Sequence, residues 1–171
     1  MEITQRRRVY DGHYKLSELT LKTDEGEEIK RERFEPGRAV AALVFDTATQ
    51  HYILTKQFRI GPEADLLEIA AGMIDRDDTP EDSIRREVQE ELGYEVDALT
   101  HIVDMWVSPG SSREKVSVYY AEVSRKSGEG GGLAEEHEQI EAVPFTREQL
   151  FTEPLQDAKT LLAVQWVQLH K

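Results

Sequence analysis

Three glutamates, Glu87, Glu90 and Glu91, stand at i, i+3 and i+4 within Pro80–Leu92, the spacing that groups side chains on one helix surface. The segment reads as a helix from end to end. Thr79 offers a hydroxyl N-cap, Pro80 suits the first helical position, Glu81 and Asp82 sit where the helix dipole favours acids, and Gly93 supplies the stop. Ile84, Val88 and Leu92 form the apolar stripe that faces the protein body. At ~100° per residue Glu91 falls about 20° from Ile84, at the edge of that stripe, with Glu87 about 60° and Glu90 about 120° away. Carboxylates this close repel one another, and an ionised one beside an apolar interface is costly unless positive charge meets it. Arg86 can pair with Glu90 at i+4 but points away from Glu91. A hard divalent cation that takes several oxygens and keeps some waters, Mg²⁺ above all, resolves the conflict for Glu87 and Glu91. Acidic helix faces are usually solvated surfaces on which arginines and acids trade ion pairs. The position of Glu91, and the glycine turn that brings the helix up against a strand end, set this one apart.

Such a helix needs a core to lean on. With 171 residues the chain is of single-domain size and can bury roughly 70% of its unfolded surface. Cysteine is absent, which excludes disulfides, thiolate metal sites and thiol nucleophiles and agrees with a reducing cytosol. The longest apolar run, Ala39 to Phe45, is far too short to span a bilayer, and the basic start MEITQRRRVYDGHY has no apolar stretch behind it. The expectation is a cytoplasmic protein with no membrane partner. A formal net charge of −13, from 34 acids against 21 bases, argues against nucleic acid as a partner, since affinity for phosphate chains comes largely from Lys and Arg displacing counterions. A smaller anion stays open, provided that metal ions or a local group of arginines offset the acidic field.

Residues 1–36 alternate in short pieces, broken at Asp24-Glu25-Gly26, and read as a strand-rich flap; Glu35-Pro36-Gly37 marks the boundary with the domain 37–171. RAVAALVFD and HYILTKQFR read as two strands joined near Thr47 to Gln50, and LLEIAAG as a third ending at Gly72. HIVDMWV and KVSVYYAEV form a further pair around the Pro109-Gly110 loop. KSGEGGGLAEEHEQ, rich in glycine and then in acids, reads as a mobile loop. IEAVPF reads as a strand, TREQLF as a short helix, and DAKTLLAVQWVQLH as a longer helix with Ala158, Leu161, Leu162, Trp166 and Leu169 on one face. Strands outnumber helices, and helices fall between or after strands, which favours a mixed sheet packed against helices. His101, His137 and His170 do not form a ligand set by spacing.

Gly72, five residues, Asp78, seven residues, then Arg86-Glu87-Val88-Gln89-Glu90-Glu91-Leu92-Gly93-Tyr94 resembles the Nudix box, the signature of hydrolases that cleave a nucleoside diphosphate linked to another group. The family usually has Glu where this chain has Asp78, which there braces the loop and helix, often through the box arginine. The resemblance implies an α+β fold, an α/β/α sandwich with a mixed β-sheet between helices and an N-terminal antiparallel flap. It implies metal ligation by Glu87 and Glu91, assistance from Glu90, and a contribution from the Ala71 carbonyl.

From about Ile29 onward the chain is most similar to the ADP-ribose pyrophosphatase branch, through Leu66 to Asp75, Ser108-Pro109-Gly110 and Gly132 to Ile140. Ser111 replaces a second glycine common after the marker proline. That likeness implies a general base on the loop before the last strand, Glu136, also a metal ligand, with Glu138 as neighbour or substitute. It implies nucleotide and ribose contacts from Arg31, Glu32, Arg59, Ser108, Gly110 and Glu114. The implied reaction is Mg²⁺-dependent (Mn²⁺ as the alternative) hydrolysis of ADP-ribose to AMP and ribose 5-phosphate by a homodimer that exchanges its flaps. GDP-mannose or another nucleotide sugar is the rival substrate, because the GGG loop, IEAVPF and DAKT also resemble GDP-mannose pyrophosphatases. A non-catalytic ADP-ribose sensor is the rival of another class.

Overall fold

The computed structural model describes residues 1–75, 77–133, 135 and 138–171. The chain divides into two compact units, Met1–Arg38 with Trp106–Val116, and Ala39–Met105 with Ser117–Lys171. The first is built on the antiparallel sheet β1 (Glu2–Asp11), β2 (Lys15–Lys22) and β3 (Glu28–Phe34). The segment Ser111–Arg113 docks on the end of β3: Phe34 N–H donates to the Ser111 carbonyl and Arg113 N–H to the Phe34 carbonyl, both at 2.8 Å.

The second unit carries β4 (Arg38–Asp46), β5 (His51–Arg59), β6 (Ala64–Glu68), β7 (Ala70–Met73), α1 (Pro80–Leu92), β8 (Tyr94–Trp106), β9 (Lys115–Lys126), β10 (Glu141–Phe145), α2 (Arg147–Thr152) and α3 (Ala158–His170). The sheet order is β10-β5-β4-β9-β8. Lys115 N–H donates to the Gly37 carbonyl at one end of β4 and Thr47 N–H to the Val123 carbonyl at the other, so β4 and β9 run in the same direction, while β5 runs antiparallel to β4 and β10 antiparallel to β5. The sheet is mixed, as expected.

Residues on alternate sides of each strand point to opposite faces. Val40, Ala42 and Val44 of β4 and Tyr119, Ala121 and Val123 of β9 close on Ile84, Val88 and Leu92 of α1. The next residue along, Tyr120, meets Trp166 of α3 instead. Helices therefore cover both faces, which makes the sandwich.

LLEIAAG is two strands rather than one. β4 pairs with β5 only through Val44–Asp46 and with β7 through Ala39–Ala42, while β5 pairs with β6 from Thr55 to Arg59. The segment 64–73 thus crosses from β5 to β4 where those two strands splay apart. At the crossing Ile69 leaves the ladder, and its N–H donates to the Thr160 hydroxyl at 2.9 Å.

α3 differs from expectation in phase. Its buried residues are Thr160, Ala163, Val164 and Val167, whereas Leu161 is partly exposed and Leu169 largely so. A helix apolar nearly all round carries little information about which side turns inward. Here the choice follows the Ile69–Thr160 bond and the small Ala163. Both Thr160 and Ile69 are fully buried, and an unpaired buried donor costs about 1–3 kcal/mol. Thr160→Val should therefore lower stability by about that amount in urea unfolding, while Thr160→Ser should retain most of it.

Candidate active site

α1 begins and ends as its residues dictate: the Thr79 hydroxyl accepts from Asp82 N–H, Pro80 opens the first turn, and Gly93 closes the helix at φ 76°. Glu91 is buried with the apolar stripe, 3% exposed, which agrees with its place at the stripe's edge. Its carboxylate accepts the Ala71 N–H at 3.1 Å, so helix and β7 meet through this acid. Gly72 lies against the Glu87 carboxyl group, and a Cβ there would overlap it. The box glycine thus leaves the Glu87 carboxyl group its present place, and a side chain there would displace it.

Burial is the main force on both acids. It pushes the Glu91 carboxyl up to about 8, opposed by the Ala71 N–H and reinforced by Glu87 and Glu138. It pushes Glu87 up to about 7, opposed by Arg86 and reinforced by Glu90 and Glu138. Arg59, at the end of β5, is the cation whose field favours ionised Glu91.

Arg86 reaches further than its helical position suggests. It pairs with Glu90 as expected, and also with Glu87, each at 3.0 Å, and with Asp75 at 3.3 Å. An ideal helix does not turn i and i+1 toward each other, but the long guanidinium spans the gap. Arg86 makes no ion pair with Glu91. Its Nε is buried without a hydrogen-bond partner among the described residues, the Asp78 carboxylate standing 3.8 Å off. The shorter acid at position 78 accounts for that gap.

The glycine-rich loop is not loose where it leaves β9. Ser127 N–H and Gly128 N–H donate to the Gly93 carbonyl, Gly131 N–H to that of Glu91 and Gly132 N–H to that of Glu90. Gly130, Gly131 and Gly132 have φ of 74°, 100° and 84°, a left-handed run that side chains resist. The glycine half of the loop expected to be mobile thus caps the carbonyl end of the glutamate helix, through Gly131 and Gly132. The cap also brings Glu138 in. Its carboxylate accepts the Leu133 N–H at 3.0 Å, and its charge acts on both Glu87 and Glu91.

Glu87, Glu90, Glu91, Glu138, Ala71 and Arg59 therefore gather in one unit. Glu136 lies outside the described residues. Arg31, Glu32, Ser108, Gly110 and Glu114 all belong to the first unit. There, Glu114 N–H donates to the Ser112 hydroxyl and the Arg31 guanidinium to the Lys30 carbonyl. Among the described residues no three His, Cys, Asp or Glu side chains converge as a ready ion cage. The donor chemistry nevertheless fits a hard divalent cation: a buried and a half-buried carboxyl group, mutually repelling, with ionisation opposed chiefly by burial. Glu68 was not singled out from sequence. It is a 4% exposed acid bonded to Arg59 and Lys159, and an acid inside the apolar run LLEIAAG was its only signal.

Residues 35–167 match the NUDIX domain model, and the chain belongs to that family. It is 34% identical over 163 residues to a GDP-mannose pyrophosphatase of Cronobacter sakazakii, covering 90% of this chain and 85% of the relative. It is 32% identical over 188 residues to an ADP-ribose pyrophosphatase of Haemophilus influenzae, covering 99% and 87%. The fold is shared with a crystal structure of an ADP compounds hydrolase, with a TM-score of 0.82 at 22% identity, over 98% of this chain and 91% of the other.

Two outcomes are expected of the site. Asp78→Glu adds the methylene needed to reach Arg86 Nε, and should raise stability by about 1 kcal/mol, seen as a rise of about 2–4 °C in Tm. Second, Glu87 and Glu91 hold protons more tightly folded than unfolded, where they titrate near 4.5. Their contribution to stability is complete below that pH and is lost as pH rises through 7 and 8. In EDTA, Tm should fall across this window. Magnesium should flatten the fall, and Glu91→Gln should remove its upper part.

Proposed function

We propose that the protein hydrolyses the diphosphate bond of a nucleoside diphosphate sugar, with ADP-ribose as the substrate and AMP and ribose 5-phosphate as products. The observation that carries this reading is the pair of buried Glu91 and half-buried Glu87 between α1 and β7, both pushed toward the protonated form chiefly by burial. Divalent ions bound by Glu87, Glu91 and the Ala71 carbonyl, with Mg²⁺ preferred and Mn²⁺ as substitute, would lower the charge of the diphosphate and acidify the attacking water. The protein's own residues do the remainder. An acid of the capped loop, Glu136 with Glu138 as neighbour or substitute, takes the water's proton. Glu90, engaged by Arg86, keeps that guanidinium in place beside Glu87. Arg59 offers its charge to a phosphate.

The uneven charge of the two units supports a homodimer in which each flap lends Arg31 and Glu32 to the other copy. The first unit carries eleven Lys and Arg against ten Asp and Glu; the second carries ten against twenty-four. A nearly neutral, arginine-bearing sheet is suited to an acidic partner surface. Ser108, Gly110 and Glu114, in the same unit, complete the sugar contacts in this reading. No helix among the described residues is long and apolar enough to cross a membrane, and the small-molecule substrate requires neither membrane nor nucleic acid.

Retention of all three box glutamates favours an enzyme over a sensor. The similarity to GDP-mannose pyrophosphatase makes that sugar nucleotide the necessary comparison. Coupled phosphate-release assays with ADP-ribose and GDP-mannose should give the higher kcat/KM for ADP-ribose, and a reversed order would replace the substrate while keeping the chemistry. Glu91→Gln should reduce kcat by about 10³-fold or more with Tm unchanged or raised, because a buried acid is exchanged for a neutral isostere. Full activity in that variant would remove the metal-assisted mechanism.

A further inference from the structure

Glu68 ends β6 and Arg59 ends β5, and the two residues lie on adjacent paired strands. The Glu68 carboxylate is divided between two cations: Oε2 accepts from Arg59 Nε at 2.5 Å, and Oε1 accepts from Lys159 Nζ at 2.6 Å. Lys159 also meets Asp157 Oδ1 at 3.0 Å. The other oxygen of Asp157 caps α3 through the N–H and hydroxyl of Thr160. Thr160 in turn receives the Ile69 N–H. Consecutive residues of α3, Lys159 and Thr160, thus grip consecutive residues of the strand, Glu68 and Ile69, and fix the base on which Arg59 stands.

Only Nε of Arg59 is used. Its two Nη groups meet no protein acceptor among the described residues, and the side chain is 38% exposed. A guanidinium tethered at Nε presents its outer edge as a fork suited to two oxygens of a phosphate. Its charge is felt at Glu91, so the fork stands within the field of the glutamate site. A carboxylate paired with Arg59 alone would cancel most of the attraction such a fork has for an anion. Lys159, although it also meets Asp157, takes one oxygen of Glu68, so less of the Glu68 charge falls on the Arg59 guanidinium.

We propose that Glu68 and Lys159 are positioning residues for Arg59: Glu68 fixes the guanidinium, and Lys159 offsets the Glu68 charge so that Arg59 stays attractive to a nucleotide phosphate. This rests on the reading of the site as a nucleoside diphosphate hydrolase. It adds a role for the first turn of α3, through a residue that itself touches no substrate.

The experiment is a steady-state comparison of the full chain with Lys159→Met and Lys159→Arg, using ADP-ribose and magnesium, with AMP as product inhibitor. Lys159→Met should raise KM and the Ki for AMP about tenfold in parallel with kcat changed less than about threefold, and Lys159→Arg should restore both. In an Arg59→Met background the Lys159→Met change should add little. Multiplicative effects in the double variant, or a lowered Tm with KM and Ki unchanged, would overturn the proposal and leave a merely structural ion pair. If Lys159→Met does not fold, the same parallel shift is read on Lys159→Gln. If the unmodified protein hydrolyses no nucleoside diphosphate sugar, the functional reading has failed. Calorimetric binding of ADP to the unmodified protein and Lys159→Met then decides this inference separately, equal affinities overturning it.

Discussion

The hydrogen bond from Ala71 N–H to the Glu91 carboxylate is the constraint around which this molecule is arranged. It joins the glutamate helix to the strand that precedes it, and it does so through a group whose burial opposes its own ionisation. The packing of Ile84, Val88 and Leu92 on the sheet leaves Glu91 nowhere else to go. Gly72 then admits Glu87 beside it. The apolar core thus does electrostatic work: it holds carboxylates in a place where water cannot satisfy them, and so creates a demand for a cation that the chain itself meets only in part.

The path of residues 64–73 serves that arrangement. Were β4 and β5 paired along their whole length, no strand could stand under α1 at Ala71. Their divergence admits β6 on one and β7 on the other. The break costs a ladder hydrogen bond at Ile69, which the Thr160 hydroxyl replaces. At the far end of α1, Gly131 and Gly132, two of three successive glycines with positive φ, supply N–H groups to the Glu91 and Glu90 carbonyls that a helix end leaves open. The helix is therefore held at both ends by segments distant in sequence, and its three glutamates are presented by a rigid rod.

Much of this was legible in the residues. The helix could be bounded to the residue because Thr79, Pro80 and Gly93 each act locally, and Glu91 could be placed at the buried edge because a helix has a fixed period. The strand pairs β4–β5 and β8–β9 followed from apolar runs separated by turn residues. What escaped depends on contacts remote in sequence. The phase of α3 is decided by Thr160 against Ile69, not by its own nearly uniform apolar surface. The glycine loop looks featureless in sequence because glycine fits a flexible linker and a left-handed cap equally well. Glu68 reads as one acid in a strand until Lys159, far along the chain, is seen to share it.

Arginine 86 shows why the two kinds of positive charge in this site cannot exchange roles. It is the cation nearest the glutamates in sequence, yet its guanidinium is engaged by Asp75, Glu87 and Glu90, with Asp78 close by. A group so committed has little attraction left for an incoming diphosphate, and it does not pair with Glu91. Arg59 is the reverse case, with one carboxylate partner that Lys159 already shares. On the proposed reading Arg86 keeps the acids together and Arg59 receives an anion, and the charge of Arg59 meets that of Glu91 only in part. In that reading the rest of the deficit is met from outside the sequence, and a divalent ion completes the electrostatics that the side chains begin.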